Sequence, residues 1–128
     1  MNLKLGFFPQ FKGTDAVLLA GDLEGITELS NALGSFAVSS QNQLPIHGFA
    51  SISHTHPVEL YASRSNEPGV LGFHWLCSPE VLPSIQGKLA ALTVSGKGHH
   101  YFNLVASPVQ LVVSVGEYSQ SWWLAHGG

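Results

Sequence analysis

The sequence predicts an α+β domain. It is expected to hold tandem pseudo-duplicated strand–helix–strand–strand units after an extra N-terminal strand, in a mostly antiparallel sheet with two helices on one face. Three observations predict this. Two apolar stripes recur at helical spacing: Leu23, Ile26, Leu29, Leu33, Phe36, and then Leu82, Ile85, Leu89, Leu92. Short apolar runs bounded by Gly, Pro, Asn and Ser surround them. The two halves also echo each other: HPVELYAS at His56–Ser63 and SPVQLVVS at Ser107–Ser114 share Pro-Val, Leu and a final Ser. Glu24, Ile26, Leu29 and Leu33 match Glu80, Leu82, Ile85 and Leu89 at one constant offset. Repeat units are expected at about residues 16–63 and 70–115, with a tail at 119–128, all in a single domain spanning 1–128.

Taken in order, Leu3–Phe8 is expected as a strand, followed by turn material at Pro9 to Gly13. Ala16–Ala20 (AVLLA) is short enough to favour a buried strand over a helix. Asp22 is the expected N-cap of the first helix, because its carboxylate can accept from the unpaired first-turn amides. Glu24 adds negative charge beside the same terminus. Gly34 is the expected stop. Ile46–Ser53 and Val58–Ala62 read as a first hairpin, and Arg64–Gly69 as the richest turn cluster. Val70–Leu76 reads as a strand. Ser78, Pro79 and Glu80 read as a helix start, unless a tight turn comes first and the helix runs from Pro83. Tyr101–Ala106 and Val109–Val115 form the second expected hairpin around Ser107-Pro108.

Composition excludes several functions. The chain has five Lys and Arg against eight Asp and Glu, a formal charge of -3, and no basic run. Counterion release therefore contributes little to nucleic-acid binding. No apolar run approaches membrane-spanning length, and the N-terminal run before Pro9 is too short for a signal peptide. One cysteine excludes an internal disulfide, and the cytoplasm is the expected compartment. Only 10% of residues are charged, well under the roughly 25% usual for soluble domains. Such a surface favours self-association or partner binding.

The titratable residues do not form a catalytic motif. His54 and His56 stand two apart, which on a strand puts both rings on one face, a workable start for a metal site. No third ligand follows at motif spacing, and no HExxH or Cys pair is present. Turn or surface histidines are the simpler reading, and no metal or other cofactor is expected. His47 and His99 hold equivalent places in the two halves. Cys77 precedes a helix start, where a thiol pKa can fall; the alternative is a small buried residue. The acidic residues are scattered, and Glu59, between Val58 and Leu60, should face solvent or a partner. No catalytic residue is assigned. Trp122 and Trp123 are the strongest partner signal, because tryptophan is enriched at binding hot spots; one ring or both could instead cap the core. Trp122, Trp123 and Glu59 are the candidate partner-binding residues.

DLEGITELSNAL at Asp22–Leu33, GHHYFNL at Gly98–Leu104 and LVVSVGEY at Leu111–Tyr118 together resemble small immunity proteins of bacterial polymorphic toxin systems. The resemblance covers about a third of the chain. It implies a non-enzymatic inhibitor that binds a cognate toxin. The weak acidity departs from nuclease inhibitors and leaves the toxin class open, and no residue-level function carries over. The sequence thus leads to a protein-binding domain whose partner is a toxin, a second copy of itself as a two-fold dimer, or both. The alternative is a small-molecule or metal-binding domain, or an enzyme, that uses the histidines.

Overall fold

Leu3–Phe11 (β1) and Thr14–Gly21 (β2) form an antiparallel hairpin closed by Lys12 and Gly13. The structure, a computed structural model, describes residues 3–53, 55–65 and 71–126. The helix Leu23–Ala37 (α1) follows, with the Asp22 carboxylate accepting from the Gly25 amide at 2.7 Å as the cap chemistry requires. Ile26, Leu29, Leu33 and Phe36 are buried, while Leu23 is half exposed beside the cap. Gly34 does not stop this helix. Its last carbonyls find a partner elsewhere: the Arg64 guanidinium donates to the carbonyls of Phe36, Ala37, Ser39 and Gln41. A side chain thus does what a glycine cap would have done.

The expected first hairpin is not formed. Ile46–Gly48 is a 3-10 turn, and Ser51–Ile52 (β4) pairs in parallel with β1. Gln43–Pro45 (β3) and Leu60–Ser63 (β5) pair antiparallel, and Phe73–Leu76 (β6) joins β5 in parallel. The helix Leu82–Ser95 (α2) begins after a tight turn in which Val81 and Leu82 donate to the Ser78 carbonyl; Pro83 sits in its first turn. This is the second of the two expected starts, and it avoids removing a helical bond at Pro83. The second hairpin does form, as Gly98–Asn103 (β7) and Gln110–Val115 (β8), and Gln120–Ala125 (α3) ends the described chain.

Among the described residues, the strands make two mixed sheets, ordered β4-β1-β2-β8-β7 and β3-β5-β6. This corrects the mostly antiparallel sheet: β2 pairs with β8 in parallel, as β1 does with β4 and β5 with β6. β2 and β8 stand far apart in sequence, with both long helices between them, which permits the crossover that parallel pairing needs. The elements matched by the sequence repeat lie in different sheets. β2 is central in the larger sheet while β6 is at the edge of the smaller; HPVELYAS leads into β5 and SPVQLVVS into β8. Short motifs fix local turns and caps, whereas sheet membership follows from which faces are apolar. Buried residues run unbroken along Leu111–Val115, so β8 sits inside a sheet and not at its edge.

Alternation sorts the large sheet into two faces. Val17, Leu19, Leu111, Val113 and Val115 point to α1 and α2, whose Leu29, Leu33, Ile85 and Leu89 are buried in one core with them. Both expected helices therefore share one face. Leu60, Ala62, Trp75 and Cys77 of the smaller sheet join the same core. Ala16, Leu18, Ala20 and Val112 point the other way, where α3 lays Trp123 against Phe8. The second face is thus partly covered by the tail.

Candidate functional site

The side of the large sheet that carries α3 brings together the chain's most distinctive chemistry. Its geometry starts from a bulge. Phe8 pairs with Ala16 but Phe11 with Thr14, so β1 has one residue more than β2 between these pairs. Gln10 takes a positive φ of 56°, and its amide donates to the Asp15 carboxylate at 3.0 Å. Ordinary alternation would put Phe8 and Phe11 on opposite faces. The extra residue flips the phase, and both rings meet Trp122, at 5.4 and 6.5 Å between centroids.

Trp122 is the hub of this aromatic layer. Its ring lies 4.6 Å from Tyr118, 5.3 Å from Trp123 and stacks on His126 at 4.3 Å. The two tryptophans divide the roles weighed for them. Trp123 is 2% exposed and belongs to the core; Trp122 is only partly buried and keeps an outer edge. Adjacent residues on one helix diverge by about 100°, which is the physical reason for the split. Trp123 is therefore withdrawn as a contact residue.

Beside this layer lies a polar cluster built by the β7–β8 pairing. His99 stands opposite Ser114, and the turn at Gly116 folds Glu117 back toward both. Gly116 has φ of 72°, and a side chain there would meet the Gly96 carbonyl at 2.6 Å, so glycine is required. Glu117 accepts from Ser114 Oγ at 2.7 Å and from His99 Nδ1 at 2.9 Å. His99 meets Tyr101 edge-on at 5.3 Å, and Tyr101 is 46% exposed. Lys12 lies over the Phe11 ring at 5.6 Å, and the neighbouring Tyr118 hydroxyl raises its pKa, which links the aromatic and polar parts.

Burial pushes the Glu117 carboxyl up, but the hydrogen bonds from Ser114 and His99 and the charges of His99 and Lys12 outweigh it. The net pKa is below the ordinary 4.5. The stabilisation this gives is present above the ordinary value and lost as pH falls through the lowered one. Denaturant melts should show Glu117→Gln about 1 kcal/mol less stable than the native chain at pH 7. That gap should narrow through the acid range below the carboxylate value. A gap that stays constant with pH would show that Glu117 acts by shape and not by charge.

Apart from His56, whose ring packs on Phe8, the other described residues singled out from the sequence lie away from this face. Glu59 is exposed, as expected, but it sits just before β5 beside Phe7, Val58 and Phe73 in a shallow pocket of about 390 Å³. Phe7 and Phe8 point to opposite faces of β1, so Glu59 does not join Trp122 in one patch. His54 lies outside the described residues. His56 is in an irregular segment, not a strand; its amide donates to Ser53 Oγ and its ring lies 4.8 Å from Phe8. Among the described residues no three His, Cys, Asp or Glu side chains are placed to hold a metal ion. His47 and His99 have different surroundings. His47 Nδ1 accepts the Leu60 amide at 3.1 Å and its ring meets Tyr61, which marks a structural role. Burial pushes the Cys77 thiol up to about 12, so it is protonated at neutral pH and the nucleophile reading falls.

No protein-family model, curated protein or solved structure matches the chain. No described helix is long and apolar enough to cross a membrane.

The pairing of His99 with Glu117 was not anticipated. Its signal is nonetheless in the sequence: in the second hairpin, His99 opposite Ser114 brings a residue three beyond Ser114 within reach. The bulge that recruits Phe11 has a weaker signal, because PQFKG reads as turn and not as a strand that continues past a kink.

Proposed function

We propose that the chain is a non-enzymatic protein-binding domain that engages its partner with the face formed by Phe11, Lys12, Tyr101, Tyr118 and Trp122 around the His99–Glu117 pair. The observation that carries this reading is a row of partly exposed aromatic rings, packed against one another at steep angles, next to hydrogen-bonding groups. Rigid aromatic rings with polar tips are the anchors that dominate binding energy. His99 Nδ1 and the Glu117 carboxylate are already joined to each other, and Glu117 also to Ser114. That network holds the imidazole and the carboxylate in fixed places beside the rings, where they can hydrogen-bond a partner. The resemblance to immunity proteins makes a cognate toxin the proposed partner, in the cytoplasm. A second copy using the same face is the competing occupant.

The test is binding to the product of a toxin-like reading frame neighbouring this gene. A stoichiometric complex is expected, with Trp122→Ala and Tyr101→Ala each weakening it by about 2 kcal/mol or more while the free variants stay folded. A complex indifferent to both substitutions would move the interface off this face. A monomer-to-dimer shift lost in the same variants would replace the toxin with a second copy.

A further inference from the structure

The large sheet ends at β7 and the small sheet at β6, and the last two residues of each strand, Phe102 and Asn103, Trp75 and Leu76, line one groove of about 710 Å³. Among the described residues one backbone hydrogen bond spans the gap, from the Val105 amide to the His74 carbonyl at 2.8 Å. Trp75, Phe102 and Ile85 line the groove's apolar part, and α2 forms a wall that carries Ser84 and Lys88, with Glu80 just before it. This groove opens on the α2 side of the sheet, opposite the face that carries α3 and Trp122.

We propose that the groove accepts an extended segment of a partner protein, added as a strand along the outer edge of β7. Natural edge strands are guarded by charge, proline, bulges or shortness. At the opposite end of this sheet the edge strand β4 has only two residues. β7 has six, GHHYFN, with no proline and no Lys, Arg, Asp or Glu. Its outward amides and carbonyls meet no other strand among the described residues. An edge strand beside a helix-walled groove is the arrangement that strand addition uses: backbone hydrogen bonds give affinity and alternate side chains give specificity.

The charges on the wall specify the segment. The Lys88 ammonium lies 5.4 Å from the Phe102 ring centroid, and Glu80 stands eight positions earlier. Glu80 lies in the tight turn that precedes α2, so this wall carries a negative charge ahead of the helix and a positive one in its second turn. The fitting segment has an acidic residue facing Lys88 and a basic residue further along facing Glu80. Between them it places an apolar side chain toward Trp75 and Phe102.

The groove is separate from the aromatic face, and its occupant is tested separately. Displayed random peptides of about ten residues are selected on the whole chain, and the enriched sequences are measured in solution. Enrichment of an acidic–apolar–basic pattern at alternate positions is expected. Binding should fall roughly tenfold with Lys88→Glu and recover when the peptide's acidic residue becomes Lys. Ser84→Trp, at an exposed groove position, should abolish it without changing thermal unfolding. Trp122→Ala should leave it unchanged, and amide exchange should slow at Gly98–Asn103. Failure to enrich any peptide, or a pattern without alternation, would overturn the proposal. So would binding lost with Trp122→Ala but kept with Lys88→Glu. Protection of the β7 amides that rises with protein concentration in the absence of peptide would also overturn it, by assigning the edge to a second copy.

Discussion

Trp123→Ala is expected to destabilise the chain by about 3–5 kcal/mol, the range for removing a large buried aromatic side chain. Trp123 is fully buried between α3 and the sheet, where it meets Phe8 edge-on and packs in one cluster with Leu18, Ala20 and Val112. These small and branched residues are fixed in β2 and β8 and cannot close over the space an indole leaves. Trp122→Ala removes a ring that already faces solvent on one side, so it should cost clearly less, on the order of 1–2 kcal/mol. Denaturant melts of the two variants give the comparison. Equal losses would mean that the two rings share the burial, and Trp122 would then lose its standing as a contact residue.

The second large effect is expected at the contact between the helices. Leu33 of α1 and Leu89 of α2 are fully buried, in one core with Val17, Leu19, Phe102 and Leu104. Either residue changed to alanine should cost about 2–5 kcal/mol. The spread reflects how far the surroundings relax, and here each leucine is held between a helix and a sheet. The two sites share core neighbours, so the double variant should not be additive. A loss below about 0.5 kcal/mol in either single variant, the range of ordinary surface changes, would show that the helix presents a different face to the sheet.

The helix faces were readable because a helix writes its burial into local spacing. Ile26, Leu29, Leu33 and Phe36 recur every three or four residues, and all four are buried. The Asp22 cap and the second hairpin were readable for a similar reason, since each depends on residues only a few positions apart. Leu23 marks the limit of this reading. It lies on the stripe, yet it falls in the first turn, where the helix has not reached the core.

The candidate site was legible only in pieces. Trp122 stood out by residue type, and His99 and Glu117 were visible as single titratable residues. Their assembly depends on the β7–β8 register, on the positive φ at Gly116 and on the bulge at Gln10, each of which moves a side chain by a whole face or turn. Glu59 and Trp122 looked alike as exposed candidates. The chain places them on opposite sides of β1 because Phe7 and Phe8 alternate there.

By itself, the sequence determined the α+β class, the two long helices with their inward faces, the Asp22 cap and the final hairpin. All of these follow from local patterns and short-range hydrogen bonding. Only the tertiary structure decided that β2 and β8 pair in parallel at the centre of a mixed sheet, and that the repeated motifs go to different sheets. It also decided that Arg64 closes α1 and that Trp123 is core while Trp122 is surface. Strand pairing between distant segments is selected by the total apolar surface buried once both faces are packed, and no window of neighbouring residues contains that sum.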